Sequence, residues 1–193
     1  VALGILLALA GGLVLVGAIH LSRSLRRAVY PLLVASQTVP VPVFAPLLVA
    51  WLGYDLRPKV AIVALICFFP IVVSTLDALA TVEPELLKLM RTLGATRWQT
   101  FRRVEAPSAL PGLLSGTRIA VVVAVIGAVF AEYAGSADGL GHLIQQATAQ
   151  LQTPRAWAAV VMLSVLAGLL FAGLGAAGRL LLPWAPTREE PHP

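Results

Sequence analysis

The chain has 193 residues, of which 59% are hydrophobic and 12% charged, a balance that excludes an ordinary soluble domain, where about a quarter of residues carry charge. The net charge of +5 suggests nucleic acid at first sight, but the cations cluster between apolar stretches and so report membrane sidedness instead. The single cysteine, Cys67, excludes an intrachain disulfide and a thiolate metal site.

A bilayer-crossing helix needs roughly 20 mostly apolar residues, because lipid offers no partner for backbone polar groups. Five stretches qualify, near residues 1–19, 29–52, 60–79, 110–131 and 156–182. They predict an all-α, polytopic membrane bundle over residues 1–182, then a cytoplasmic tail, 183–193, whose polar part, 185–193, is expected to be disordered. Val1 opens directly on an apolar stretch, without an initiator Met or a basic leader, and reads as an internal start rather than a signal peptide. Arg23, Arg26 and Arg27 crowd the first connection, and Lys88, Arg91, Arg97, Arg102 and Arg103 the third, whereas residues 132–154 hold neither Lys nor Arg. The first and third connections are therefore expected in the cytoplasm and the second and fourth outside, with Val1 outside and the tail inside. Arg57 and Lys59 dissent from this pattern.

The first span carries Gly4, Gly11, Gly12 and Gly17, small residues that let another helix approach closely. The second holds Pro31, Pro40, Pro42 and Pro46 beside Gln37 and Thr38. Each interior proline removes a backbone hydrogen bond, so this helix should be kinked or locally broken. Irregular backbone at membrane depth is tolerated against protein or a watery cavity, which places Gln37, Thr38, Pro40 and Pro42 on a translocation path, the alternative being a kinked packing helix. Asp77 near the end of the third span and Arg118 in the fourth lie at similar depths, so an ion pair between them is one expectation and snorkelling of Arg118 the other. The fourth connection, 132–154, contains Gly135, Gly139 and Gly141, then a stretch around 143–151 that reads as an external surface or re-entrant helix. Trp184 suits an interfacial anchor after the last span.

Residues 83–111 form a long, basic, amphipathic connection. Glu83-Pro84-Glu85 suits a helix start, since proline fits the first turn and acidic side chains favour the positive end of the dipole. Leu86, Leu89, Met90 and Leu93 recur at helical spacing, and Gly94 falls where a left-handed cap is needed, giving a helix over 85–93. Trp98 and Phe101, three residues apart, share one face of a second short turn that precedes Pro107 and Pro111. Residue pattern alone allows two uses of this segment, docking into a partner's groove or lying on the inner leaflet.

The same segment resembles the signature of the inner-membrane permease subunits of binding-protein-dependent ABC importers, in outline Glu-Ala-Ala, three residues, Gly, nine residues, Ile-x-Leu-Pro. Gly94 and Pro107 fall at the family's interval, with Val104-Glu105-Ala106-Pro107 closing the element, while Lys88-Leu89-Met90 departs from the acidic triplet. Ala45-Pro46, Trp51-Leu52-Gly53, Phe69-Pro70, Gly116-x-Arg118, Glu132 and Gly139-Leu140-Gly141 extend the similarity along the chain, nearest to the branch importing nitrate, sulfonates, taurine or pyrimidine precursors. That branch has six spans, which implies a type I importer permease fold with one N-terminal span absent here.

The resemblance implies a chain that works beside a second permease subunit, as a homodimer, with ATPase subunits and an external substrate-binding protein in a prokaryotic inner membrane. ATP and Mg would belong to the ATPase partner, and no cofactor or metal to this chain. Coupling to the ATPase is assigned to Glu85, Leu89, Arg91, Gly94, Ala95, Trp98 and Phe101. The path is assigned to Gln37, Thr38, Pro40, Pro42, Arg118 and Glu132, and binding-protein contact to Gly135, Gly139 and Gly141. A neutral heterocycle is preferred as cargo if Asp77 neutralises Arg118, with sulfonate, taurine or nitrate as alternatives.

Other functions meet specific obstacles. No GxxxxGK[ST] phosphate loop is present, so ATP hydrolysis by that route is not expected of this chain. His20, His142 and His192 lack the spacing of a metalloprotease and are expected to be solvated or interfacial. An autonomous secondary transporter or channel remains the rival function, although no internal repeat is evident. A membrane scaffold would require no ATPase.

Overall fold

The computed structural model describes residues 1–184, all of whose regular elements are helical. The polar tail expected to be disordered therefore lies, from Ala185 on, outside the described residues, as does His192. In chain order the helices are α1 (Ala2–Leu21), α2 (Arg23–Ser36), α3 (Val41–Leu52), α4 (Leu56–Ala80), α5 (Pro84–Thr92) and α6 (Arg97–Thr100). A π-helical turn, Phe101–Glu105, joins α6 to α7 (Ala106–Gly135), followed by α8 (Leu140–Ala149) and α9 (Thr153–Leu181).

Four helices are long and apolar enough to cross a membrane: Ala2–His20, Leu56–Ala80, Arg97–Gly135 and Thr153–Leu181. The expected second span is instead divided into the 14 residues of α2 and the 12 of α3, each shorter than a full crossing requires. The break has local causes. Pro40 is extended at φ −65° and ψ 129°, a proline disfavours helical backbone in the residue before it, and the Thr38 hydroxyl donates to the Ala35 carbonyl at 2.8 Å.

The core forms where α1 and α7 pack on α4. Ala8, Val63, Cys67, Ile71, Ala120 and Ala124 make one fully buried cluster. Gly112, Gly116, Ala120 and Ala124 recur every fourth residue on α7, a small-residue face that allows close helix approach in lipid. Gly116 shows how close: a Cβ there would lie 2.6 Å from the Pro70 carbonyl oxygen and 2.8 Å from the Ser74 Cβ. The Cys67 thiol lies 3.3 Å from the Ala120 carbonyl across this seam, so the cysteine acts as a small core residue. α9 packs chiefly on α7 and α8 and is almost wholly exposed, Val161, Val165, Leu169 and Leu181 included.

The fourth span does not begin after Pro111 as expected. One continuous helix runs from Arg97 to Gly135 through both Pro107 and Pro111. Within it the Ala106 N–H donates to the Phe101 carbonyl, five residues back. Pro107, which has no N–H to give, falls where the ladder changes step, so its missing donor disrupts less than in an ordinary helix.

Candidate functional site

The segment between α4 and α7 is an arm built by local rules. Pro84 opens α5 within its first turn and Glu85 supplies the acidic residue there. The helix ends one residue earlier than its expected limit, at Thr92, and Gly94 takes φ +70°. The Ala95 N–H donates to the Met90 carbonyl and the Gly94 N–H to the Arg91 carbonyl, both at 3.0 Å. That pair is a Schellman cap, which needs a left-handed residue at the Gly94 position. Thr96 then caps α6: its hydroxyl accepts from the Gln99 N–H at 3.2 Å, while the Gln99 side chain accepts from the Thr96 N–H at 2.9 Å.

The arm carries its apolar residues outward. No residue of α5 or α6 is buried, α5 has no more than marginal packing on any other element, and Leu89, Leu93 and Trp98 are 54%, 71% and 66% exposed. The Trp98 and Phe101 rings stack with centroids 5.8 Å apart, as their shared face predicts. Lys88 and Arg91 are also exposed. A cleft of about 680 Å³ lies between this arm and the end of α1, bordered by Gly17, His20, Arg91, Trp98 and Phe101.

His20, expected to be solvated or interfacial, has specific partners. It is half-buried, its Nε2 lies 2.8 Å from Glu105 Oε2, and its ring centroid is 5.4 Å from that of Phe101. Neither His20 nor Glu105 carries a sequence motif for this contact. Their separation of 85 residues hides it from any local pattern.

The expected Asp77–Arg118 ion pair does not form. Asp77 is exposed, while the Arg118 guanidinium carbon lies 4.2 Å from the centroid of the Phe171 ring on α9. Arg118 Nε is buried without a hydrogen-bond partner, and its terminal nitrogen reaches the backbone edge of Gly175. An aromatic face attracts a cation, so α9 supplies the partner that the sequence-based expectation assigned to α4.

The remaining residues assigned to the path are not gathered at one point. Gln37, Thr38, Pro40 and Pro42 lie together in and beside the α2–α3 break, all exposed. Arg118 and Glu132 share α7 but stand about 21 Å apart along its axis at 1.5 Å per residue. One Glu132 carboxylate oxygen accepts from the Gly141 N–H at 2.6 Å. It thereby tethers the start of α8 to α7. Gly139, at φ +132°, is forced to be small as well, since a Cβ there would fall on the Glu132 carboxylate. Gly135 packs against Tyr54 and Val49, and Lys59 donates to the Ser136 hydroxyl at 2.7 Å. The expected external helix is α8, which begins at Leu140, earlier than its sequence pattern indicated.

Comparison with known proteins decides what this arrangement belongs to. A family model described as "Binding-protein-dependent transport system inner membrane component" matches residues 1–184. The chain belongs to that family. This inner membrane component is 42% identical over 184 residues to the formylaminopyrimidine transport permease protein ThiX of Halalkalibacterium halodurans, covering 95% of this chain and 74% of the relative. The riboflavin transport system permease protein RibX of Chloroflexus aurantiacus is 40% identical, with 84% of this chain and 60% of the relative covered. A putative aliphatic sulfonates transport permease protein, SsuC of Bacillus subtilis, is 31% identical over 97% of this chain and 68% of the relative.

A solved structure of the MetNI methionine ABC transporter matches with a TM-score of 0.78 at 20% identity, over 93% of this chain and 88% of that one. That likeness establishes the fold, a type I importer permease bundle. The inner membrane component is thus a multi-pass transport protein and not an autonomous channel or secondary transporter.

Proposed function

We propose that this chain is the path-forming subunit of an ATP-driven importer, and that the coupling loop, residues 83–111, docks on a separate ATPase through the stretch from Glu85 to Phe101. The projecting arm carries this reading: an amphipathic helix that leaves Leu86, Leu89 and Leu93 exposed, followed by a stacked Trp98–Phe101 pair, matches the groove-filling anchors of helix-in-groove recognition. Leu89, Ala95, Trp98 and Phe101 supply apolar contact, Arg91 and Glu85 polar contact, and Gly94 the fixed bend. ATP and Mg are assigned to the ATPase. The alternative of an arm lying on the inner leaflet would also use this apolar face, and the test below separates the two.

A second copy of this chain is assigned as the other half of the path, and an external binding protein as the delivery partner, contacting the outer surface at Gly135, Gly139 and Gly141. Gln37, Thr38, Pro40 and Pro42 offer broken backbone to the path, with Arg118 and Glu132 marking two depths along α7. Asp77 does not pair with Arg118, so charge cancellation gives no support to a neutral cargo. A nitrogen heterocycle remains the cargo class, now supported by the names of the relatives at 42% and 40% identity.

Reconstitution with the cognate ATPase and binding protein tests this. Gly94→Pro removes the Gly94 N–H and forbids φ +70°, and Trp98→Ala removes the exposed anchor. Each is expected to abolish substrate-stimulated ATP hydrolysis while leaving membrane insertion intact. Normal stimulation in both variants would refute the docking role. Titration of the binding protein with pyrimidines, flavins, taurine and sulfonates identifies the cargo.

A further inference from the structure

The arm has three routes to the bundle. Its two chain ends supply a short connection, residues 81–83, from α4, and a continuous helix into α7, interrupted by the π-turn at Phe101–Glu105. The third is His20 at the end of α1. Among the described residues, the His20–Glu105 contact is the only side-chain hydrogen bond joining residues 83–105 to another element. Its geometry links the coupling surface to the core in four steps. Trp98 stacks on Phe101, Phe101 meets the His20 ring at a tilt, His20 bonds Glu105, and α1 packs through Ala8 against Val63 and Cys67 of α4.

The glutamate's place in the π-turn matters. A π-turn inserts an extra residue per turn and re-aims the side chains within it. Glu105 is thereby turned out of the α7 ladder toward α1, and only 16% of its side chain is exposed, against 27% for His20.

We propose that His20 and Glu105 are positioning residues for energy coupling: a latch that makes α1 and the arm move as one body, so that displacement at Trp98 reaches the α1–α4 core directly. This rests on the docking role proposed above. The latch stays closed through the cycle. Its loss leaves the arm joined to the bundle through its two chain ends alone, so ATP hydrolysis continues while less of it drives transport.

The test uses the complete complex in proteoliposomes with its binding protein, measuring uptake and ATP hydrolysis together. His20→Ala and Glu105→Gln should each insert normally, hydrolyse ATP, and lower substrate moved per ATP by at least about fivefold, the effect of a modest coupling free energy. Should His20→Ala fail to reach the membrane, His20→Asn takes its place. The pair His20→Cys with Glu105→Cys should be uncoupled when reduced and recover coupling when joined by a short bifunctional thiol reagent, Cys67 being buried and out of reach.

An unchanged ratio in the single variants overturns the latch. So does equal loss of uptake and hydrolysis, which marks a merely structural contact, or a cross-linked pair that stays uncoupled or stops transporting. Failure of the wild-type complex to couple uptake to ATP hydrolysis would instead count against the importer reading itself, and the two failures are distinguishable.

Discussion

Two residues close their helices with the same motif and different chemistry. Gly94 ends α5 at φ +70°, and Leu151 ends α8 at φ 56°, where the Gln152 N–H donates to the Ala147 carbonyl at 2.8 Å. Left-handed backbone costs an L-residue with a Cβ about 1–2 kcal/mol, and Leu151 is also 88% exposed. Leu151→Gly is therefore expected to raise the thermal unfolding midpoint of the detergent-purified protein, by a gain of about 1 kcal/mol. Strain of this kind gathers at functional surfaces. If Leu151 contributes to the outer docking surface, the same variant weakens binding-protein affinity, which a titration on proteoliposomes reads. Gly94 was legible in sequence because glycine advertises its own conformation. Leu151 was not, since nothing in leucine signals a positive φ.

At the scale of elements, the joint between α7 and α8 depends on one carboxylate fitting over two glycines. Gly139→Ala would push its methyl onto Glu132, and overpacking of this kind costs about 1–3 kcal/mol. The expected outcome is a lowered unfolding midpoint for Gly139→Ala in the wild-type background and a much smaller decrease when Glu132 is already Ala, because neighbouring sites are not additive. Equal decreases in both backgrounds would show that only the φ of +132° matters. The glycines themselves stood out in the sequence, as did the start and stop of α5, since both follow local chemistry. The carboxylate that requires them stood apart from them as a separate path residue. Likewise, depth along the helices alone points Arg118 to a partner on α4, whereas rotation about the α7 axis turns that side chain to Phe171 on α9.

Across the whole molecule, the positions of the basic residues predict which ends face the cytoplasm, and this can be checked without knowing the cargo. Single cysteines at Trp98 and Gln146, both exposed, should react with a membrane-impermeant thiol reagent from opposite sides: Trp98→Cys only in inverted vesicles, Gln146→Cys in intact cells. Cys67 contributes little background because it is buried. Labelling of both from the same side would overturn the topology. Apolar length made the bundle readable, and the prolines announced the α2–α3 break. The continuity of Arg97–Gly135 was hidden because Pro107 and Pro111 look like terminators until the helical ladder is seen to change step beside them.

That change of step sets a direction. An α-helix turns by about 100° per residue, so one residue more or less in 101–105 alters the azimuth at which the aromatic pair leaves the axis of α7. Deleting Val104 should restore an unbroken α-helical ladder, keep every anchor on the arm, and swing them to a different bearing around the bundle. Such a variant would be expected to insert and still fail to engage an ATPase, as measured by co-purification. The orientation of the arm is in this sense a phase, and a single residue is its unit.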